Sequence, residues 1–212
     1  MEETLKTGTT TVAFKCKDGV VLAADRRATA GYLVANKNAE KVFKLTDNIV
    51  LTISGMVSDA QLLTKLIRAE IKLKQIRSDR EITIKESANL LAGLIYGNVR
   101  RFSAIPGIAH FLMGGKDADG FHVYDLFADG SVTLIDDFVA SGSGSVIAYG
   151  VLETMWSANM SVNDGVELAV KAVNAAMQRD IASGEGIDVF TITKDGIKKA
   201  FQKAADYSVK IK

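Results

Sequence analysis

Cysteine, proline and histidine are scarce: the 212 residues include one, one and two of them. A lone thiol, Cys16, excludes an internal disulfide and fits a reducing compartment, so a cytoplasmic setting is expected. Pro106 is the sole proline and no Ser/Gly-rich linker separates the halves, which predicts one domain. His110 and His122 lie in strand-like segments with no Cys/His/Asp cluster at ligand spacing. Both read as structural; no metal site is suggested, and a Ser-His-Asp triad has weak support. Charge of one sign is missing too. A net charge of +1 gives no reason to expect nucleic acid or an acidic membrane as partner. No stretch approaches the ~18–20 consecutive apolar residues of a membrane-spanning helix. The opening "MEETLKTG" has two acids and no apolar core, so it is no secretory signal and reads as a tail, a tag-like remnant or a pro-segment.

What is present comes in blocks. "TTTVAFKCKDGVVLAADRR" has the pattern of a hairpin, with Val12, Phe14 and Cys16 on one face and Asp18-Gly19 as its turn. "KVFKL" and "NIVLTIS" form a second pair around Thr46-Asp47-Asn48. The period then changes to helical. Ser58 and Gln61 have capping-box spacing ahead of a stripe of Leu62, Leu63, Leu66, Ile67 and Leu73, and Thr83 and Glu86 open a second helix. Strands return as "IAHFLMGG", "FHVYDLF" and "SVTLIDDFVAS". "GSGS" leads into a third helix, and Ser161 caps a fourth that stops near Gly184. "IDVFTIT" is the last strand, and the terminal "KAFQKAADYSVKIK" reads as a helix or a loose tail. Strands grouped with strands predict antiparallel pairing, and "VVLAA" and "IVLTI", apolar on both faces, need cover on both sides. The expected class is α+β: a four-layer α-β-β-α sandwich of two antiparallel sheets flanked by helix pairs.

Few residues offer chemistry. Cys16 alternates with core positions and reads as a packed thiol. "GGKDADG" starts like a calcium loop but lies between strands and lacks the closing glutamate, which favours a hairpin turn. "GSGSVI" resembles a dinucleotide fingerprint, although Ile147 stands at its third glycine position and the surrounding order is not βαβ. "LKTGTTTVAFK" has two readings: a tail ending at Gly8 before a strand, or a Gly8-Thr9 bond made to be cut. Cutting that bond would place a new α-amine, with a reference pKa of roughly 7.7–8.0, on the residue whose hydroxyl needs a base. Glycine before it removes bulk around the carbonyl under attack. Asp25 ends the returning strand near Thr9, and Lys41 starts another. A buried ammonium there would favour the alkoxide, with Asp25 holding it charged. An ordinary strand-end salt bridge explains the pair equally well.

With these residues go "TGTTTVAFK", "LAADRRAT", "NAEKVFKL", "LTISGMVSDAQLL", "ASGSGSVIAYGVLE" and "AMQRDIASGEGIDVFTIT". In this order they resemble the proteasome β-subunits of archaeal type, in the N-terminal nucleophile hydrolase family, over the whole chain. The resemblance implies a propeptide of residues 1–8, removed autocatalytically, and a hydrolase domain of 9–212. It implies a threonine endopeptidase acting on unfolded polypeptides, with Thr9 as nucleophile, Asp25 and Lys41 beside it, and Ser143, Asp180 and Ser183 around its amine. Helix capping is the plainer role for those last three. Gly55 would supply the oxyanion N–H, and Thr29, Gly55 and Val57 would pair with an extended substrate. Ile53 and Val57 would line an apolar pocket, with cleavage after hydrophobic residues. No cofactor is implied. The implied partners are rings of seven β-subunits stacked in pairs, α-subunit rings capping them and an ATP-driven unfoldase, with the nucleophile masked until the chamber closes. A ring subunit that assembles without cleaving, and a nucleotide-binding module on "GSGSVI", are the alternatives.

Overall fold

The computed structural model describes residues 8–205; the expected propeptide, save Gly8, and the last seven residues lie outside the described residues. Strands β1 (Thr11–Cys16) and β2 (Gly19–Asp25) form the expected hairpin. A short pair that the sequence pattern did not disclose follows, β3 (Ala28–Ala30) and β4 (Leu33–Asn36), turning at Gly31 with φ of 60°. Next come β5 (Val42–Lys44), β6 (Ile49–Gly55), α1 (Val57–Ser78) and α2 (Ile84–Val99). The second half holds β7 (Ala109–Asp117), β8 (Gly120–Leu126), β9 (Val132–Ile135) and β10 (Phe138–Ser141). It closes with α3 (Ser145–Met155), α4 (Val162–Met177), β11 (Gly186–Thr193) and β12 (Gly196–Ala204).

Two five-stranded sheets, β10-β1-β2-β11-β12 and β5-β6-β7-β8-β9, are antiparallel throughout. Strand alternation sorts their apolar residues into three layers. Val20, Leu22 and Ala24 of β2 meet Val50, Leu112 and Val123 between the sheets. Val21 and Ala23 face the other way, onto Leu168, Ala172 and Val173 of α4. On the second sheet, Leu51, Ile53, Phe111 and Met113 pack against Leu63, Ile67, Leu91 and Ile95 of α1 and α2. This is the expected four-layer sandwich. Cys16 is buried with the α4 layer, where burial and nearby Asp18 and Asp164 push its thiol up to about 12, leaving it protonated and inert.

Several local expectations need correction. The Thr83–Glu86 capping box and the Ser161 cap form, but Ser58 and Gln61 lie inside α1, whose N-cap is Met56 with no side-chain bond. The chain enters that helix straight from β6 through Gly55, at φ of 94°, and the Met56 N–H donates to Ile108 O. The stripe on α1 is two stripes: Leu63, Ile67 and Ile71 are buried, whereas Leu62, Leu66 and Leu73 are exposed. "SVTLIDDFVAS" is two strands, because β9 completes one sheet and β10 pairs with β1 in the other. Helix α4 stops at Met177, well before Gly184, which frees 178–185 as a loop. Residues 196–204 form β12 rather than a helix or tail, since β11 needs a partner on that side.

The layer between the sheets carries much of the stability. Leu22 is fully buried there. Truncating it in Leu22→Ala is expected to cost about 2–5 kcal/mol, read as a lower urea midpoint at unchanged m-value. A loss below ~1 kcal/mol would mean that the sheets close over the gap.

Candidate active site

The ends of β1, β2 and β6 converge with the 141–144 and 178–185 loops on one buried hydroxyl. Thr9 is 5% exposed, and its Oγ1 donates to the carbonyl oxygen of Gly8 at 2.7 Å. The same oxygen accepts from Lys41 Nζ at 3.3 Å. Lys41 Nζ lies 2.7 Å from Asp25 Oδ1, both side chains being buried. Asp25 is further held by three backbone donors: the N–H of Thr10 (2.9 Å), of Arg27 (3.0 Å) and of Gly184 (2.9 Å). Burial pulls the Lys41 ammonium below its ordinary value of 10.5, against the opposing attraction of Asp25.

A second set surrounds the Thr9 nitrogen. Its N–H donates to Ser143 Oγ at 3.2 Å, and Ser143 donates to Asp180 Oδ2 at 2.7 Å. Ser183 donates to the same carboxylate oxygen at 2.6 Å and meets Thr10 Oγ1 at 2.7 Å. The helix-capping alternative therefore fails: Gly144, not Ser143, is the N-cap of α3, and Gln178 is the C-cap of α4. All six residues singled out as catalytic come together. The sequence reading missed Thr10, Arg27, Gly184 and Glu185. Arg27 holds the 178–185 loop by donating to Ile181 O at 2.9 Å and pairing with Glu185 at 3.1 Å. Such roles are carried by contacts across the chain and leave no local pattern.

Glycines let the backbone approach this closely. A Cβ on Gly8 would stand 1.8 Å from Ala182 Cβ. One on Gly142, at φ of 91°, would stand 2.1 Å from the Thr9 carbonyl oxygen, and one on Gly144 would stand 1.9 Å from Thr10 Oγ1. The Gly144 N–H donates to Thr9 O. The space beside Gly142 and Gly144 in "GSGSVI" is thus filled by Thr9 and Thr10, ahead of β1, which leaves no cradle for a nucleotide phosphate there.

Beside Thr9 opens a cavity of about 590 Å³. Its walls include Thr29, Ile53, Gly55 and Val57, the four residues expected to bind substrate, and also Ala28 and Phe43. Lys65, Arg68 and Glu40 add charge to the same walls. The Thr29 hydroxyl accepts the Gly8 N–H at 3.1 Å. Among the described residues, no group of three or more His, Cys, Asp or Glu could hold a metal, and no helix is long and apolar enough to cross a membrane.

The lowered Lys41 value has a consequence for stability. Below it, the folded and unfolded chains are both protonated; between it and 10.5 only the unfolded chain keeps the proton, so folding gains as pH rises. Relative to Lys41→Met, the unmodified chain is expected to gain stability across that interval, measured by urea unfolding at a series of pH values. A difference that stays flat with pH would mean that the ammonium is not destabilised by burial.

A family model described as "Proteasome subunit" matches residues 5–192. The chain is 46% identical over 199 residues to the proteasome subunit beta of Archaeoglobus profundus, covering 94% of this chain and 91% of that one. It is 43% identical over 198 residues to that of Methanobrevibacter smithii, covering 93% of each. It is 47% identical over 191 residues to that of Methanocorpusculum labreanum, covering 90% of this chain and 88% of the relative. The matched region begins before the Gly8–Thr9 bond and takes in every strand and helix that meets the buried hydroxyl: this chain belongs to the proteasome subunit family.

Proposed function

We infer that the chain is a proteolytic β-subunit of a 20S core particle, a threonine endopeptidase that first cuts itself. The observation carrying this reading is the shared carbonyl: Thr9 Oγ1 and Lys41 Nζ both bond to the Gly8 oxygen. In the first step the hydroxyl oxygen attacks the Gly8 carbonyl carbon and closes a five-membered ring. The Lys41 ammonium, paired with Asp25, stabilises the oxyanion. The C–N bond then breaks, its nitrogen taking up the proton that the attacking hydroxyl has lost, and an ester joins Gly8 to the Thr9 oxygen. Water hydrolyses that ester, releasing residues 1–8 and leaving the domain 9–212 with a free α-amine.

In the processed enzyme this amine accepts the hydroxyl proton as Thr9 attacks a substrate carbonyl. Ser143, Asp180 and Ser183 hold the amine, whose neighbour Lys41 favours its neutral form by like-charge repulsion. The Gly55 N–H is assigned to the substrate oxyanion. Thr29, Gly55 and Val57 align an extended peptide by main-chain pairing. Ala28, Phe43, Ile53 and Val57 make an apolar wall that favours hydrophobic residues before the cut.

Assembly has support on α1. Leu62 is 51% exposed and Ile76 66%, with Leu66 and Leu73 between them on a second apolar face that the monomer leaves in water. Seven-membered rings, stacked in pairs and capped by α-subunit rings, would cover such faces and enclose the active sites. An ATP-driven unfoldase would supply unfolded polypeptide in the cytoplasm.

Intact mass tests this reading. After co-expression with an α-subunit, the assembled chain is expected to lose residues 1–8, and Thr9→Ala is expected to abolish that loss. Gly8→Val is expected to slow it, because a side chain there meets Ala182. A full-length mass in a closed particle would instead make this a structural subunit. Lys41→Ala is expected to slow the loss of residues 1–8 by about 10²–10³, read as the rate at which the shorter mass appears after assembly.

A further inference from the structure

Beyond the threonine site, the described residues hold a second chain of hydrogen bonds with an unusual composition. His110, in β7, touches Asp125 of β8 through Nε2 and Ser141 of β10 through Nδ1, the latter at 2.7 Å. Ser141 Oγ also meets Ser54 Oγ of β6 at 2.8 Å. Phe127 packs edge-on against the imidazole, 4.8 Å between ring centres. This is Asp, His and Ser in line. It is not a second nucleophilic centre, because Ser141 is 3% exposed and its hydroxyl is shared with Ser54, leaving no route for a substrate carbonyl.

Its place in the fold suggests another use. Ser54 and His110 are cross-strand partners in one sheet, whereas Ser141 pairs with Thr11 in the other. The chain therefore ties the sheets together with directional bonds, next to the apolar intersheet cluster that includes Val50, Leu112 and Val139. One residue beyond Ser54 is Gly55, in the cavity wall. One and two residues beyond Ser141 are Gly142, where a Cβ would stand 2.1 Å from the Thr9 carbonyl oxygen, and Ser143, bonded to the Thr9 nitrogen. Apolar packing is non-directional and sets such spacings loosely. Hydrogen bonds fix them by distance and angle.

We propose that Asp125, His110 and Ser141 are positioning residues that set the Ser143 loop and the Gly55 wall at their working distance around Thr9. The Asp125 carboxylate accepts the Nε2 proton and so fixes the tautomer. Nδ1 then accepts from Ser141, and Ser141 accepts from Ser54, giving the chain one direction from cavity wall to surface carboxylate. The inference rests on Thr9 being the nucleophile.

The test uses the assembled, processed particle, with active sites counted by covalent labelling of Thr9 with a peptide vinyl sulfone. Ser141→Ala and Asp125→Asn are each expected to lower kcat per labelled site about 10-fold at unchanged KM, since small displacements of a reacting pair cost this much. The double variant is expected to lose no more than the weaker single one, because either break opens the same chain. Ser141→Thr, which keeps the hydroxyl, is expected to recover activity. Should Ser141→Ala fail to assemble, Asp125→Asn carries the test alone, its side chain being 22% exposed. A kcat within ~2-fold of the unmodified particle, an effect confined to KM, or losses that multiply in the double variant would overturn the proposal. Labelling of Ser141 by a fluorophosphonate would overturn it in favour of a serine nucleophile. Absence of label on Thr9 in the unmodified particle would remove the threonine reading, and this inference with it.

Discussion

The buried pair of Lys41 and Asp25 is the constraint on which the site depends. An isolated ammonium at this depth would be expelled or neutralised, since desolvating a charge costs several kcal/mol. Asp25 counters that cost from 2.7 Å, but only because its own charge is spread over three backbone donors. Those donors come from three places: the segment that carries Thr9 into β1, the turn after β2 and the 178–185 loop. One carboxylate therefore locks together the segments that bear the hydroxyl, the cation and the amine-binding group. Its net contribution to stability is small, because desolvation cancels most of the attraction. Its contribution to geometry is large.

The four-layer arrangement explains why such a pair can exist. Two apolar sheets covered on both faces provide an interior deep enough to bury strand ends, where loops from both sheets meet. Glycine at positions 8, 142 and 144 then allows backbone to lie against backbone and hydroxyl. The result is a hydroxyl with a carbonyl and an ammonium on one side and a network of serines and aspartate on the other. A self-cutting bond and a peptidase site need the same surroundings. In the proposed mechanism the first reaction would convert the amide nitrogen, already bonded to Ser143, into the base for the second.

Outside the chain's own core, the fold leaves loose ends that a monomer does not explain. Leu62, Leu66, Leu73 and Ile76 repeat along the outer face of α1, while Phe102 and Ile105 stand out after α2. In the proposed assembly they are surfaces that neighbouring subunits would cover. A chain shaped to be enclosed has no need to keep these faces polar.

Much of this was legible in the residues taken in order. The grouping of strands, the two-faced apolar runs in β2 and β6, the Thr83 and Ser161 caps and the Asp-Gly turns follow from local periodicity and turn chemistry, which depend on near neighbours alone. So does the suspicion attached to Gly8-Thr9, since a threonine that acquires its own amine is a statement about one residue. The site residues by number came from a resemblance, and their meeting is a tertiary fact. Asp25 to Gly184 and Thr9 to Ser143 are contacts across 159 and 134 residues, which no window of sequence contains. The burial of one face of α1 and not the other, the division of "SVTLIDDFVAS" between two sheets, and the bridge from His110 to Ser141 depend on which surfaces end up opposed. Sequence alone determined most of the strands and helices, though not β3, β4 or β12, because backbone preferences and alternation act locally. Only the packed sheets decided which hydroxyl, cation and carboxylate share one small volume, because burial and long-range hydrogen bonds exist only once the layers have closed.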